Sequence, residues 1–303
     1  MSGPLLVSIL LCLIAGSAID TGSICVVRAV RDAVDRKFAL VLGCLVTLLC
    51  ATAIFTIDTA MGWQLRTASW AWPTARILAG AALFGAGAVL NGACAVGTIT
   101  RLCRGDLGYV ATLLGAIATT LLVPGTLLPG LAAADTAEAG LAWLVIVAAI
   151  ALAPLVMLRR HIVRRIVLAY ATLGVVLAVM ANLRGDWTWL RLVQEARAGL
   201  PIRLEVVACI VAVLVGAAVT ARFRRTFRLV RPNPGAMARE AAGGALMAAG
   251  AVLIPGGNDL LLVYGVPSGS PHAVAAYAVI VATMVLLLGL IRTTRRWATW
   301  PIP

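Results

Sequence analysis

The chain has 303 residues, of which 62% are hydrophobic and 12% are charged, and its mean hydropathy is +1.01. Soluble domains are about 45–50% apolar and about 25% charged, so a soluble globular enzyme and a disordered chain are excluded. The net charge of +13 raises nucleic acid as a partner. Membrane proteins also use basic residues, beside their apolar segments, so the positions of these residues decide between the two.

Nine apolar segments are each long enough to cross about 30 Å of hydrocarbon as a helix. Short loops join these segments, so we predict an all-α, polytopic membrane protein that forms a single transmembrane domain over 1–303. The first segment lacks a positively charged beginning and runs into Asp20, which is unlike a cleavable signal peptide. In chain order the predicted spans are 4–24, 38–57, 76–100, 109–128, 138–158, 162–182, 203–221, 236–254 and 271–291.

The basic residues alternate between dense and sparse loops. Six Lys and Arg residues lie in one set of loops, and the other 19 lie in the alternate set, at 28–37, 101–104, 159–165, 222–239 and 292–296. Cytoplasmic loops carry the excess of positive charge, so we predict a bacterial inner-membrane protein with its N-terminus outside and its C-terminus in the cytoplasm. The net charge is thereby assigned to membrane anchoring, and no nucleic-acid partner is expected.

Two Ala/Gly-rich segments resemble each other at an offset of 163 residues. The run Gly87-Ala88-Val89-Leu90 recurs as Gly250-Ala251-Val252-Leu253, and each run meets a cluster of helix-breaking residues. The offset pairs spans one to four with spans six to nine, and the two sets start on opposite sides of the membrane. We therefore predict two inverted repeats, 1–128 and 162–303, joined by a linker span in 129–161. This architecture is typical of secondary transporters.

Three breaks interrupt the apolar segments, at 20–28, 91–98 and 255–259. Lipid offers no hydrogen-bond partners to a broken helix, so each break implies a cavity lined by protein. A resumed helix favours an anion at its N-terminus, and a thiol adds a soft, polarizable sulfur. The combination favours a sulfur-bearing anion. The candidate substrate-binding residues are Gly22, Cys25, Arg28, Asn91, Gly92, Cys94, Gly97, Thr98, Gly256, Gly257 and Asn258.

Few ionisable side chains fall near these breaks. Asp20 and Asp259 each flank one, where a carboxylate caps a half-helix or couples a cation to transport. His161 lies among interfacial arginines and His272 begins the last span, and neither has a Ser, Asp or metal-ligand partner at a readable spacing. Hydrolase and metalloenzyme functions are therefore disfavoured, and no metal or cofactor is expected.

The seven cysteines need separate interpretations. Cysteine commonly packs as a small hydrophobe, and this is the alternative for Cys25 and Cys94. Cys103, close to two arginines, is left open between packing and function. The chain has no Cys-x-x-Cys pair and no Cys/His cluster for structural zinc or redox-pair chemistry. Four are interpreted as packing residues: Cys12, Cys44, Cys50 and Cys209.

Three motifs resemble the YeeE/YedE family of sulfur transporters. They are Gly-x-x-Cys-x-x-Arg-Ala-Val-x-Asp at 22–32, Asn-Gly-Ala-Cys-x-x-Gly-Thr at 91–98, and Pro-Gly-Gly-Asn-Asp at 255–259. The resemblance covers roughly residues 5–291. It implies thiosulfate uptake across the bacterial inner membrane, through short broken helices that meet in an hourglass-like pathway.

The resemblance also implies roles for individual residues. Cys25 and Cys94 are expected to be two thiols of a relay that passes thiosulfate by S–H···S contacts without covalent turnover. The family pattern has a further cysteine in the C-terminal half, whereas the break at 256–259 lacks a thiol and Cys209 lies in mid-span. A TusA-like sulfurtransferase is the expected cytoplasmic partner.

The leading hypothesis is therefore an importer of a small sulfur-containing anion, thiosulfate first, and not an enzyme. The alternative is a membrane scaffold that docks a cytoplasmic sulfurtransferase on its Arg-rich inner loops, above all 222–239, and transports nothing. A membrane-embedded thiol enzyme would need a general base near Cys25 or Cys94, and none is readable in the sequence.

Overall fold

The computed structural model describes residues 3–61, 72–123, 141–157, 164–184, 187–197, 199–254 and 261–293. Across these ranges the regular structure is helical, apart from one isolated bridge between Asp106 and Val230, which confirms the all-α class. The helices are α1 (Gly3–Gly22), α2 (Val26–Val34), α3 (Ala39–Met61), α4 (Ala75–Asn91), α5 (Ala95–Cys103), α6 (Val110–Leu122), α7 (Leu141–Met157), α8 (Arg164–Arg184), α9 (Trp189–Arg197), α10 (Leu204–Phe223), α11 (Pro234–Leu253) and α12 (Pro271–Thr293).

The helices have the length and composition of a membrane protein. Six helical stretches in the described part of the chain are long and apolar enough to cross a bilayer, and two shorter apolar helices cover Leu107–Leu122 and Trp143–Leu152. The protein is thus a polytopic membrane protein, and each of the nine predicted spans overlaps a helix. The six long stretches are Pro4–Val34, Ala39–Met61, Ala75–Cys103, Arg164–Arg184, Leu204–Phe223 and Pro271–Thr293.

Local sequence signals fix the starts of the two helices that support the site. Thr74 precedes α4 and accepts a hydrogen bond on its side chain from the backbone N–H of Ile77. Asn233 precedes α11, where its side-chain oxygen accepts from the N–H of Gly235 at 2.9 Å, and Pro234 occupies the first helical position. Both are standard N-terminal caps, which satisfy N–H groups that have no partner within the helix.

Helix packing divides the described bundle into two groups. In one group α1 packs against α10 and α8, and α3 packs against α8 and α7. In the other group α11 packs against α4 and α6, and α4 packs against α12. The short helix α2 lies between the groups, since it contacts α3 of the first and α12 of the second, whereas the short helix α5 contacts α1 and α10 of the first group.

One buried carboxylate joins three chain segments at the end of α1. Asp20 is fully buried, and its Oδ1 accepts from Arg104 Nε at 2.7 Å while its Oδ2 lies 3.3 Å from Arg224 Nη1. Arg104 also donates to the Ser23 hydroxyl at 2.9 Å. Beside this cluster, backbone bonds from Arg228 N–H to the Arg104 carbonyl (2.8 Å) and from Val230 N–H to the Gly105 carbonyl (3.0 Å) attach residues 228–230 to the end of α5.

Loss of the Asp20 charge is expected to destabilise the fold. Removing one partner of a buried ion pair leaves an uncompensated charge, so Asp20→Asn should lower the free energy of unfolding by about 3 kcal/mol. Thermal unfolding in detergent measures the effect. Asp32→Asn is the matched control. Its carboxylate oxygen Oδ2 lies 4.0 Å from Nε of the half-exposed Arg28, and such surface ion pairs contribute little to the free energy of unfolding. Equal melting temperatures for the two variants would contradict the structural role of Asp20.

Candidate functional site

The two cysteines predicted to be functional come together at the helix breaks. Helix α1 ends at Gly22 and α2 begins at Val26, while α4 ends at Asn91 and α5 begins at Ala95. Cys25 and Cys94 are the residues immediately before α2 and α5, and their sulfur atoms lie 3.8 Å apart. Both are buried. Two predicted breaks, 69 residues apart, therefore form one site.

The beginnings of α2 and α5 add backbone donors to this site. The first N–H groups of a helix have no partner within it and carry a partial positive charge. Neither Cys25 nor Cys94 caps its helix by a side-chain hydrogen bond. Two helix N-termini therefore direct their positive ends towards the thiol pair, an arrangement that favours an anion.

Gly97 provides the space that the Cys25 thiol occupies. A Cβ atom placed on Gly97 would lie 2.5 Å from Cys25 Sγ and 3.0 Å from Cys25 Cβ. Real side chains essentially never approach so closely. The glycine predicted from the second motif thus lets the first turn of α5 lie directly against the cysteine of the first motif.

Asn91 holds the turn that carries Cys94. Its side-chain amide donates to the carbonyl of Ala93 at 2.7 Å and to the Thr98 hydroxyl at 3.0 Å, and its oxygen accepts from the Thr112 hydroxyl at 2.7 Å. Both amide hydrogens are therefore used within the protein. Asn91 and Thr98 were predicted as substrate-binding residues; in the structure their hydrogen bonds hold the turn that positions Cys94.

The glycines at the two breaks differ in what they do. Gly92 has a φ of +78° and ends α4 in the left-handed region, which a residue with a Cβ adopts only at a cost. Gly22 ends α1, where an added Cβ would lie 2.9 Å from Ile24 Cγ1 and 3.2 Å from the Cβ of Ala169 on α8. Backbone conformation favours the first glycine, and close packing favours the second.

An arginine-rich cavity of about 370 Å³ opens next to the thiol pair, and we call it the vestibule. Cys25 lines it, together with Ser23, Gly92 and Gly97. Its charged lining consists of one carboxylate and five arginines, namely Asp106, Arg28, Arg31, Arg101, Arg104 and Arg228. The vestibule is therefore a positively charged chamber that leads to a thiol at the start of a helix, as an anion site requires.

The remaining predicted residues fall in different places. Gly256, Gly257, Asn258 and Asp259 lie outside the described residues, as does His161. His272 is buried and its Nδ1 lies 2.7 Å from the Ser270 hydroxyl. Cys103 is buried, and its thiol donates a hydrogen bond to the carbonyl oxygen of Leu214 at 3.5 Å.

Several residues around the site carried no functional signal in the sequence. Arg104 and Arg224 counted only as topology charges, yet they enclose Asp20. Thr112 and Tyr109 lie in an apolar segment, yet they hydrogen-bond to the side chain and the carbonyl of Asn91. These contacts join residues that are not neighbours in the chain, so no local sequence pattern predicts them.

Comparison with known proteins identifies the family. The family model described as sulphur transport matches the chain twice, over residues 21–165 and 134–286. The chain belongs to the YeeE/YedE sulphur transport family. A search of curated proteins found no match. Membership of the sulphur transport family, together with the membrane-spanning helices, makes the protein a multi-pass sulfur transporter, with a sulfur anion as its implied substrate.

The variant Gly97→Ala tests whether sulfur-anion uptake by this protein depends on the close contact between α5 and Cys25. The added methyl group would displace the thiol, so sulfur-anion uptake should fall roughly tenfold, which corresponds to about 1.4 kcal/mol. Gly289→Ala is the matched control, because a Cβ on Gly289 has no atom within 4 Å. Uptake by proteoliposomes that contain equal amounts of each variant measures the difference. An unchanged rate for Gly97→Ala would contradict the assigned role.

Proposed function

We propose that the protein imports a small sulfur-containing anion, thiosulfate first, across the bacterial inner membrane through the thiol pair. The observation that carries this proposal is the 3.8 Å contact between Cys25 and Cys94 at two converging helix N-termini. Thiosulfate is a dianion with a terminal sulfur and three oxygens. Positive helix ends attract its charge, while the soft thiols accommodate its sulfur.

The transfer proposed here is non-covalent. Each thiol is a weak S–H donor and a weak acceptor, so the terminal sulfur of thiosulfate passes between them by successive S–H···S contacts. No bond to sulfur is made or broken, and no general base is required. The protein is accordingly proposed to be a transporter without catalytic turnover, with Gly22, Gly92 and Gly97 shaping the passage and Arg28 at its mouth.

We further propose two inverted repeats, and contacts between α4 and α11 support them. A Cβ on Gly250 would lie 2.5 Å from the Gly80 carbonyl oxygen, and one on Gly87 would lie 2.8 Å from the Gly243 carbonyl oxygen. With the sequence offset of 163, Gly80 corresponds to Gly243 and Gly87 to Gly250. Each contact is therefore the two-fold counterpart of the other, as in a self-complementary interface.

Two more contact pairs follow the same rule. A Cβ on Gly87 would lie 2.6 Å from the amide nitrogen of Met247, and one on Gly250 would lie 2.6 Å from that of Phe84. Adding 163 to 84 gives 247, so these contacts are also two-fold counterparts. Since Gly80 faces Gly250 and Gly87 faces Gly243, the helices run antiparallel, and a two-fold axis that relates antiparallel helices is perpendicular to both. For membrane-spanning helices this axis lies in the membrane plane, which is the inverted arrangement.

The pairing of whole helices agrees with the same relation. The contact of α1 with α10 corresponds to that of α8 with α3, and the contact of α11 with α6 corresponds to that of α4 with α12. We therefore propose nine spans, with spans one to four in 1–128, spans six to nine in 162–303, and α7 as the linker span.

Residues predicted to lie near the same side of the membrane also contact each other, which supports the proposed orientation. On the proposed cytoplasmic side Arg224 reaches Asp20, and Arg292 donates to the carbonyl of Val34 at 2.6 Å. On the proposed outer side Arg184 donates to the Ser8 hydroxyl, and Arg197 donates to the carbonyl of Thr120. We propose that the N-terminus lies outside and that the vestibule opens to the cytoplasm.

The direction of transport needs a source of free energy. An interior-negative potential opposes entry of a dianion by about 4.6 kcal/mol per 100 mV, which is twice the value for one charge. Asp20 is unsuited to cation coupling, because both of its oxygens face guanidinium groups, and we assign it a structural role. We propose that a TusA-like sulfurtransferase consumes the anion at the vestibule and so drives uptake. Of the two carboxylates that the sequence suggested for coupling a cation to transport, we propose Asp259.

Uptake into liposomes tests the proposed function. Purified protein without a partner should import labelled thiosulfate, and Cys25→Ala and Cys94→Ala should each reduce the initial rate at least about tenfold, which corresponds to about 1.4 kcal/mol. Cys50→Ala is the control, because Cys50 is half-buried on α3 and no contact places it at the site.

The outcomes separate the rival hypotheses. Import by the wild-type protein alone excludes the pure scaffold. Wild-type rates in both cysteine variants would overturn the thiol pathway. Competition by unlabelled sulfate, sulfite and selenite in the same assay ranks the substrates. If sulfite or selenite inhibits the uptake of labelled thiosulfate more strongly than unlabelled thiosulfate does, thiosulfate is not the main substrate.

A further inference from the structure

A buried carboxyl group lies near the start of α11. Glu240 is only 4% exposed, and its Oε2 atom has no hydrogen-bond partner among the described residues. Burial of a polar atom without a partner is costly, so such a group calls for an explanation. Packing does not supply one, because the position of α4 that corresponds to Glu240 at the offset of 163 residues is the buried Ile77.

A second carboxyl group faces Glu240 across Gly108. A Cβ added to Gly108 would lie 2.7 Å from Glu240 Oε2 and 3.4 Å from Asp106 Oδ1, so these two oxygens are within about 6.1 Å of each other, the sum of the two distances. Asp106 precedes the short 3₁₀ helix Leu107–Tyr109, and its side chain makes no capping hydrogen bond there. Because Gly108 has no side chain, the two carboxyl groups are able to approach each other at this point.

The carboxyl pair adjoins the vestibule. Asp106 is one of the residues that line this cavity, whereas Glu240 is not. The backbone holds Asp106 in place, because its N–H donates to the carbonyl of Arg101 at 3.1 Å and the residue forms the bridge with Val230. Asp106 therefore connects the buried Glu240 with the cavity in which the anion is proposed to arrive.

The groups that face Glu240 act on its charge in opposite directions. Burial and the Asp106 carboxylate disfavour a negative charge on Glu240, while Arg101 of α5 and Arg239 of its own helix favour one. The phenol of Tyr109 also lies within electrostatic range. Arg101 lines the vestibule, so an anion that enters the cavity competes with Glu240 for the same guanidinium group.

We propose that Asp106 and Glu240 form a proton-binding site that is linked to anion binding in the vestibule. This inference rests on the proposed uptake of a sulfur anion. When a dianion binds to the arginines, Arg101 stabilises the two carboxylates less and the added negative charge repels them, so the pair takes up one proton from the solvent in the vestibule. The proton returns to that solvent when the anion leaves.

A proton fits this site better than a metal ion does. Hard metal cations bind several oxygen ligands, and the described part of the chain has no group of three or more His, Cys, Asp or Glu side chains that could hold one. The five arginines of the vestibule also repel a metal cation. A proton needs only one carboxyl oxygen, and it removes the repulsion between two like charges at this separation.

The linkage has a consequence for release of the anion. Coupling between two ligands is reciprocal, so a proton on the carboxyl pair strengthens anion binding to the same degree as the anion strengthens proton binding. Loss of the proton restores the negative charge beside Arg101 and favours departure of the anion. The pair therefore prevents an arginine-rich chamber from holding its substrate too tightly.

Proton uptake during thiosulfate binding tests this inference. Isothermal titration calorimetry of the purified wild-type protein, in two buffers that differ in ionisation enthalpy, should show uptake of up to about one proton per bound thiosulfate. The dissociation constant of thiosulfate should rise about tenfold between about pH 6 and pH 8. Thiosulfate itself remains a dianion over this range, so the change belongs to the protein.

The variants Glu240→Gln and Asp106→Asn separate the proton linkage from a structural role. Each leaves one carboxylate without its like-charged neighbour, so each should abolish both the proton uptake and the pH dependence, and the double variant should have no further effect. Because Asp106 is only partly buried, its variant keeps the test decisive if Glu240→Gln fails to fold. Asp35→Asn is the matched control, since Asp35 is half-exposed, pairs with Arg292 and does not line the vestibule.

The outcomes distinguish the proton site from the proposed function. Thiosulfate binding without proton uptake in the wild-type protein, or unaltered proton uptake in both single variants, would overturn the proton site and leave the proposed uptake standing. Failure of the wild-type protein to import any sulfur anion would instead reject the proposed function.

Discussion

A helix that breaks inside a membrane exposes backbone groups that lipid cannot hydrogen-bond, and the structure depends on how this protein satisfies them. At the second break the amide of Asn91 bonds to the Ala93 carbonyl and the Thr98 hydroxyl, and Thr112 bonds in turn to Asn91. These bonds stabilise a turn that leaves Cys94 at the start of α5. That turn sets where α5 begins and places the Cys94 thiol 3.8 Å from Cys25.

Helix α11 packs against the end of α4, where this break begins. Helix α11 passes so close to α4 that a Cβ on Gly243 would lie 2.7 Å from the Asn91 Cβ, and a Cβ on Gly80 of α4 would lie 3.1 Å from Ile254 Cγ1, just after α11. The end of α4 is therefore held by the C-terminal half of the chain, although both cysteines of the site lie in the N-terminal half. At the end of α1, Asp20 and its two arginines perform the equivalent task by ion pairing.

Sequence patterns predicted the parts of this arrangement that depend on neighbouring residues. Apolar segment length gave the helices, and Gly22 and Gly92 marked the positions where two of them end. The meeting of Cys25 with Cys94 depends on contacts between distant segments, and spacing could only make both of them candidates. Asp20 was noticed as an ionisable group at membrane depth, but its arginine partners come from loops that the sequence explained by topology alone.

The central claim is that a sulfur anion contacts the thiol pair on its way through the protein. Alkylation of the cysteines in the wild-type protein, followed by mass spectrometry with and without thiosulfate, tests this claim most directly. Because Cys25 lines the vestibule, a small alkylating reagent should modify it slowly in the free protein. We expect saturating thiosulfate to slow this modification severalfold, with an equal concentration of sulfate having little effect and Cys50 reacting at the same rate throughout. Equal rates at Cys25 with and without thiosulfate, in protein that imports thiosulfate, would contradict the account.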